Sequence, residues 1–317
     1  MMIEFKNVYK KFNKKAHIDD VSFSIPEKSV VGIVGETGIG KTEMLKMICG
    51  FIKPDRGSIE YDEYKMGKEY YKSISYMPEI DKLNINLTVA EYLKFYCDLY
   101  NISKIDTENR IDELLDFVEL YEYKDRQIFA LSRFEEVKLS LARCLINVPK
   151  VILMDEPFNR LDMTSRNNLK NLIGDLNISG ITFVIVSHLL SEVSDFCSDL
   201  IILGNGKVAI SGSTEYCLDI LNRNNPLKIE VFEKDVDLTY KTLTNSIIVN
   251  RVVKNKNKFY VYFNENDDAS IMQTRLLGIL VGQGIIPVLF AKDKKDNINI
   301  SSLYNIDGIN GGILYEV

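Results

Sequence analysis

The stretch Gly35-Glu36-Thr37-Gly38-Ile39-Gly40-Lys41-Thr42 constrains this chain more than any other part of its 317 residues. Its spacing is GxxxxGKT. The buried-strand pattern SVVGIV precedes it, and Met44, Leu45, Met47 and Ile48 follow at helical spacing. Strand, glycine-rich turn and helix form the context in which this spacing binds phosphate. Glycines at 35, 38 and 40 let the backbone turn tightly and aim its N–H groups at phosphate oxygens. The helix that follows adds its positive end. Lys41 is placed to reach β- and γ-phosphates, and Thr42 to offer a hydroxyl to Mg²⁺. Gly35 through Glu43 are the expected nucleotide contacts.

A second element, Val151-Ile-Leu-Met-Asp155-Glu156, strengthens this reading. Four apolar residues seat a strand inside a sheet, so Asp155 emerges at its carboxyl end, where ligands of α/β folds sit. Asp155 can organise Mg²⁺ through water, and Glu156 can polarise an attacking water.

Buried strands alternating with helices predict an α/β core. Ile3, Phe5, Val8 and VSFSI at 21–25 predict antiparallel strands ahead of the phosphate loop. Helices are expected from Thr88 (with Glu91 completing a capping box), over 107–120 and over 134–147. Further on, NNLKNLIGDLNISG predicts a helix, ITFVIVS a strand, LSEVSDFC a short helix, and DLIILGNGKVAISG a hairpin turned at Asn205-Gly206. The composition then changes. Residues 1–220 read as one domain, with a helical part over about 80–148, and 221–226 (LNRNNP) as a linker. Residues 227–317 read as a small α+β domain: strands in KIEVFE, SIIVNRVV and KFYVYF, a helix near 270–284 and a strand near IIPVLFA. Asp267 and Asp268 read as solvated turn residues rather than metal ligands.

Composition excludes several classes. Hydrophobic residues make up 46% of the chain, enough for a substantial core. The formal charge of −6, from 39 basic and 45 acidic residues, gives no bulk attraction for nucleic acid, and none is expected as a partner. No apolar run is long enough for a membrane span, and the first residues lack the pattern of a secretion signal. Cys49, Cys97, Cys144, Cys197 and Cys217 form no CxxC pair and read as buried thiols of a reducing compartment. His17 and His188 are too few for a histidine-rich metal centre.

With these motifs in order, residues 1 to about 220 resemble the ATP-binding subunits of ABC transporters. The resemblance implies a P-loop NTPase of ABC type, with an N-terminal antiparallel β subdomain, a helical subdomain, and here a small α+β C-terminal domain. It implies ATP and Mg²⁺ as cofactors. Phe12 stands where the family stacks an aromatic ring on adenine, with Tyr9 as a nearby competitor. Tyr76-Met-Pro-Glu79 matches the loop joining the core to the helical subdomain, and Glu79 is expected to sense Mg²⁺ or water. Asn159-Arg-Leu-Asp162 matches the loop that crosses between paired subunits, Asp162 being the residue expected to act; it can also cap the next helix. His188 follows ITFVIVS as the family's switch histidine does, contacting the γ-phosphate and holding the water. Glu156, His188 and Lys41 are thus the expected catalytic residues, and Thr42, Glu79 and Asp155 those of the metal.

The signature motif departs from the pattern. The family carries a motif close to LSGGQ; this chain has Leu131-Ser132-Arg133-Phe134-Glu135. Phe134 replaces a glycine whose backbone packs close to the partner's γ-phosphate, while Ser132 and the helix start remain as phosphate donors. A homodimer would hold two altered sites. A heterodimer with an intact partner would hold one normal site. Self-pairing is the favoured expectation. The resemblance further implies a separate transmembrane permease, an exporter-like role suggested by YMPE and the C-terminal extension, and a cytoplasmic chain peripheral on the inner face of the cell membrane. The rival reading is a soluble ABC-type ATPase used as a mechanical or regulatory module.

Overall fold

The computed structural model describes residues 3–12, 17–61, 70, 72–79, 86–224, 226–263 and 269–292. They fall into two compact units, divided after Thr214.

The first unit opens with β1 (Ile3–Lys11) and β2 (His17–Ile25), which pair antiparallel; β1 also pairs with β4 (Arg56–Tyr61). Alternation along β1 and β2 turns Ile3, Phe5, Val8, Val21, Phe23 and Ile25 into one core, with the Phe5 and Phe23 rings stacked at 4.3 Å. Gly57, the second residue of β4, takes φ +79°, and a Cβ there would lie 2.2 Å from the Asn7 carbonyl oxygen. Gly57→Ala is expected to lower stability by more than the roughly 1–2 kcal/mol of the left-handed conformation alone. Urea unfolding checks this; a smaller loss means that β4 shifts away from β1.

A six-stranded sheet follows, in the order β5 (Ile74–Met77), β6 (Val151–Asp155), β7 (Thr182–Ser187), β3 (Val30–Val34), β8 (Asp199–Gly204), β9 (Lys207–Ser213). The first five are parallel and β9 returns antiparallel. β3, β6 and β7 are buried along their whole length, as central parallel strands with both faces covered must be. Asn205 and Gly206 turn the β8–β9 hairpin with positive φ at both positions. Because β6, β7 and β3 are neighbours, their carboxyl ends lie side by side. This is the feature that builds the site.

Between β5 and β6 the described residues form three mutually packed α-helices: α2 (Val89–Leu99), α3 (Lys104–Phe117) and α4 (Arg133–Leu145), the last also against β5. Thr88 and Glu91 form the expected capping box. α3 begins at Lys104 rather than near 107, because the Ser103 hydroxyl accepts from the Asp106 N–H and caps the helix earlier. α1 (Lys41–Ile48), α5 (Met163–Ile178) and the short α6 (Leu190–Val193) belong to the same unit.

The second unit has a four-stranded antiparallel sheet in the order β11 (Arg251–Asn255), β12 (Lys258–Tyr262), β10 (Leu227–Glu230), β13 (Leu289–Lys292). Its core joins Ile229, Phe259 and Val261 to Leu243, Leu276 and Leu280 from α8 (Val236–Thr244) and α9 (Ala269–Gly282). The fold is the expected α+β, with three local differences. Residues 221–224, expected in a linker, are the last turn of α7 (Thr214–Asn224); Pro226 follows, which a helix does not pass easily. The strand expected from 246 starts only at Arg251, since Ser246–Val249 forms a turn. Helix α8 has no strong sequence signal, its β-branched residues being poor helix formers; burial of Thr239 and Leu243 holds it. Asp267 and Asp268 lie outside the described residues.

Candidate active site

Gly35 follows β3 and the loop turns at Gly40, which caps α1 at φ +111°. Glycine is needed here for its conformation; a Cβ on Gly40 would also crowd Ile18 at 3.0 Å and sit 3.7 Å from the Phe12 ring. Phe12 thus lies beside the loop. Tyr9, its competitor, faces Asp20 and pairs with Arg56 across the sheet. Glu36, Thr37 and Gly38 are exposed at the crest. Lys41 is buried, and its ammonium donates to the Gly35 carbonyl at 2.7 Å and the Glu36 carbonyl at 3.0 Å. Burial pulls its pKa down, against the pull of Glu156, Asp155 and Glu43 in the other direction.

The second wall comes from β6. The Thr42 hydroxyl donates to Asp155 Oδ1 at 3.0 Å, and the Tyr76 hydroxyl donates to Oδ2 at 3.3 Å. Burial raises the Asp155 pKa, and these two donors oppose it. A serine-like hydroxyl and a carboxylate are hard oxygen donors that fit Mg²⁺, which keeps part of its water shell. Glu156 takes φ +48°, an uncommon value for a side chain of its size, and its N–H donates to the Val186 carbonyl at 3.0 Å. That turn brings Glu156 Oε2 to 2.8 Å from Nδ1 of His188, just past the end of β7. Burial raises the Glu156 pKa, and the contact with His188 holds it back. A carboxylate made more basic and oriented by an imidazole is suited to polarising water.

The remaining candidates have partners of their own. Glu79 accepts from the Asn159 side chain at 2.8 Å, which ties the YMPE loop to the loop after Glu156. Asp162 caps α5 through the Ser165 N–H at 3.0 Å and hydroxyl at 2.8 Å. Ser132 and Glu135 form a capping box on α4: the Glu135 carboxylate accepts from the Ser132 N–H at 2.6 Å, and the Ser132 hydroxyl from the Glu135 N–H at 3.4 Å. The Phe134 ring lies under the Lys138 ammonium at 5.0 Å. Among the described residues no hydrogen bond joins Ser132 or Asp162 to the Lys41–Asp155–Glu156–His188 group. Tyr76 is the contributor that sequence reading missed. The sequence offers it only as the first residue of YMPE, with no role of its own, and pairing of β5 with β6 puts it opposite Leu153, two residues before Asp155.

Phosphate loop, acidic strand end and carboxylate–imidazole pair together define a P-loop ATPase. Comparison with known proteins refines the class. The ABC transporter family matches residues 18–159. The linearmycin resistance ATP-binding protein LnrL of Bacillus subtilis is 30% identical over 220 residues, 68% of this chain and 71% of that protein. The ABC transporter ATP-binding protein NatA of the same organism is 32% identical over 68% of this chain and 90% of its own. A probable sulfate/thiosulfate import ATP-binding protein, CysA, of Chlorella vulgaris is 32% identical over 69% and 94%. A nucleotide-free ATP-binding cassette from an ABC transporter superposes with a TM-score of 0.62 at 25% identity, covering 69% of this chain and 94% of that one. The chain therefore belongs to the ATP-binding proteins of ABC transporters, and it is an ATPase.

Proposed function

We propose that this chain is the ATP-hydrolysing motor of a membrane exporter and works by ATP-driven closure of two ATP-binding subunits. The carrying observation is the convergence of Lys41, the Thr42–Asp155 pair and the Glu156–His188 pair at the carboxyl ends of three adjacent strands. In this reading Phe12 stacks on adenine, while the loop backbone and Lys41 hold the phosphates. Mg²⁺, held by Thr42 and Asp155 with Glu79 close by, neutralises phosphate charge when bound. Glu156 accepts the proton of the attacking water, and His188 orients Glu156 and faces the γ-phosphate. Asp162 faces the second subunit. ATP shifts the population because it binds the closed pair better than the open one.

Among the described residues no helix is long and apolar enough to cross a membrane, so the reading assigns transport to a separate permease. A groove of about 570 Å³, lined by Phe51, Tyr76, Tyr100 and Arg143, lies between the sheet and the helical part and suits a permease loop. Phe51 is 70% exposed on its rim. The chain then works from the cytoplasmic side of the membrane. Matched proteins are named for export, import and resistance, and the exporter choice rests on the YMPE loop and the C-terminal unit.

Self-pairing and pairing with a different ATPase are separated by the mass of Glu156→Gln in solution. Light scattering with MgATP is expected to show a doubled mass relative to nucleotide-free protein if Leu131–Glu135 supports closure. A persistent monomer that binds MgATP would overturn self-pairing, and the Ser132–Glu135 capping box, which places a carboxylate at the helix start, would be its physical cause.

A further inference from the structure

We propose that Tyr76 is a positioning residue, fixing the orientation of the Asp155 carboxylate and tying it to the helical part of the fold. The inference rests on the ATPase reading of the site and adds to it a residue that the motifs leave idle. Both Asp155 oxygens are engaged: Oδ1 by Thr42 at 3.0 Å and Oδ2 by the Tyr76 hydroxyl at 3.3 Å. Two donors on opposite oxygens set the plane of a carboxylate, and one leaves it free to turn. Asp155 is only 3% exposed, so water cannot readily replace the second donor.

Tyr76 is itself held from elsewhere. Its backbone carbonyl accepts from Arg143 Nη2 at 2.8 Å. Arg143 sits in α4, its guanidinium lies over the Tyr96 ring at 5.3 Å, and no salt bridge to a carboxylate holds it among the described residues. Its hydrogen bonds go instead to the Tyr76 carbonyl and to Cys144 Sγ, at 3.3 Å. The Tyr76 ring also meets the Phe51 ring edge-on at 6.2 Å and lines the groove. One residue therefore carries α4 on its backbone, the groove on its ring and the acid of the phosphate site on its hydroxyl. A displacement of α4 or of the groove's walls reaches Asp155 through β5 without involving Glu79.

The test uses the full chain and a fluorescent ATP analogue, with binding measured first in EDTA and then across a Mg²⁺ titration. Tyr76→Phe keeps the ring and removes only the hydroxyl. Analogue affinity in EDTA is expected to stay within about twofold, while the Mg²⁺ concentration for half-maximal enhancement rises about tenfold. Arg143→Met is expected to shift the Mg²⁺ midpoint the same way. Combined with Tyr76→Phe it should add little, because both act through one residue. An unchanged Mg²⁺ midpoint overturns the proposal. So does an equal loss of binding with and without Mg²⁺, which marks a merely structural role, or full additivity of the two substitutions, which cuts the link to α4. Failure of the unaltered chain to bind the analogue at all would instead overturn the ATPase reading.

Discussion

Glu156→Gln is expected to slow ATP hydrolysis by about 100-fold or more while MgATP affinity changes by less than about threefold. The geometry sets this expectation. Glu156 is the carboxylate just past Asp155, it is mostly buried, and its Oε2 lies 2.8 Å from His188 Nδ1. Burial raises its pKa, which strengthens it as a base, and the contact with His188 opposes that rise. The amide has nearly the same shape but cannot take a proton. Phosphate release measured beside equilibrium nucleotide binding separates the two effects. A loss of turnover below tenfold would mean that another group accepts the proton. A parallel loss of binding would mean that Glu156 shapes the loop.

Lys41→Ala is expected to weaken MgATP binding by about 100-fold, from the loss of charge-assisted hydrogen bonds to phosphate worth ~3 kcal/mol. The substitution has a second effect. The Lys41 ammonium bridges the Gly35 and Glu36 carbonyls, so its removal also takes away the brace that holds the loop's own curvature. Equilibrium dialysis with radiolabelled ATP checks the magnitude. A change under tenfold would assign binding to the backbone N–H groups and the α1 terminus rather than to the side chain.

The loop and its flanking strand and helix were legible because the pattern is local: GxxxxGKT must turn, SVVGIV must be buried, and the periodicity after Lys41 is helical. The position of Asp155 at a strand end was legible for the same reason, since VILMD can only be a buried strand. Caps were legible where side chain and backbone are three residues apart, as at Thr88 and Glu91. Ser103 was missed because the polar residues that follow it carry no apolar periodicity to mark a helix start. Ser132–Glu135 is a sequence-local capping box too, hidden because the same residues align with the signature, where Ser132 counts as a phosphate donor. The α8 helix was missed because packing, not propensity, makes it.

What the sequence alone determined about this protein is the class of chemistry: a phosphate loop, a strand-end acid and a second carboxylate after it occur in an order that a buried parallel sheet can use. The tertiary structure decided which of those groups touch. Strand order places β6, β7 and β3 side by side, and only that order brings Lys41, Asp155 and His188, more than 140 residues apart at the extremes, to one edge. The Glu156–His188 contact needs the positive φ of Glu156, and the Tyr76–Asp155 contact needs the register of β5 on β6. Both depend on hydrogen-bond pairing between strands distant in the chain. Sequence periodicity shows which face of a strand is buried; it carries no record of which strand lies next to it.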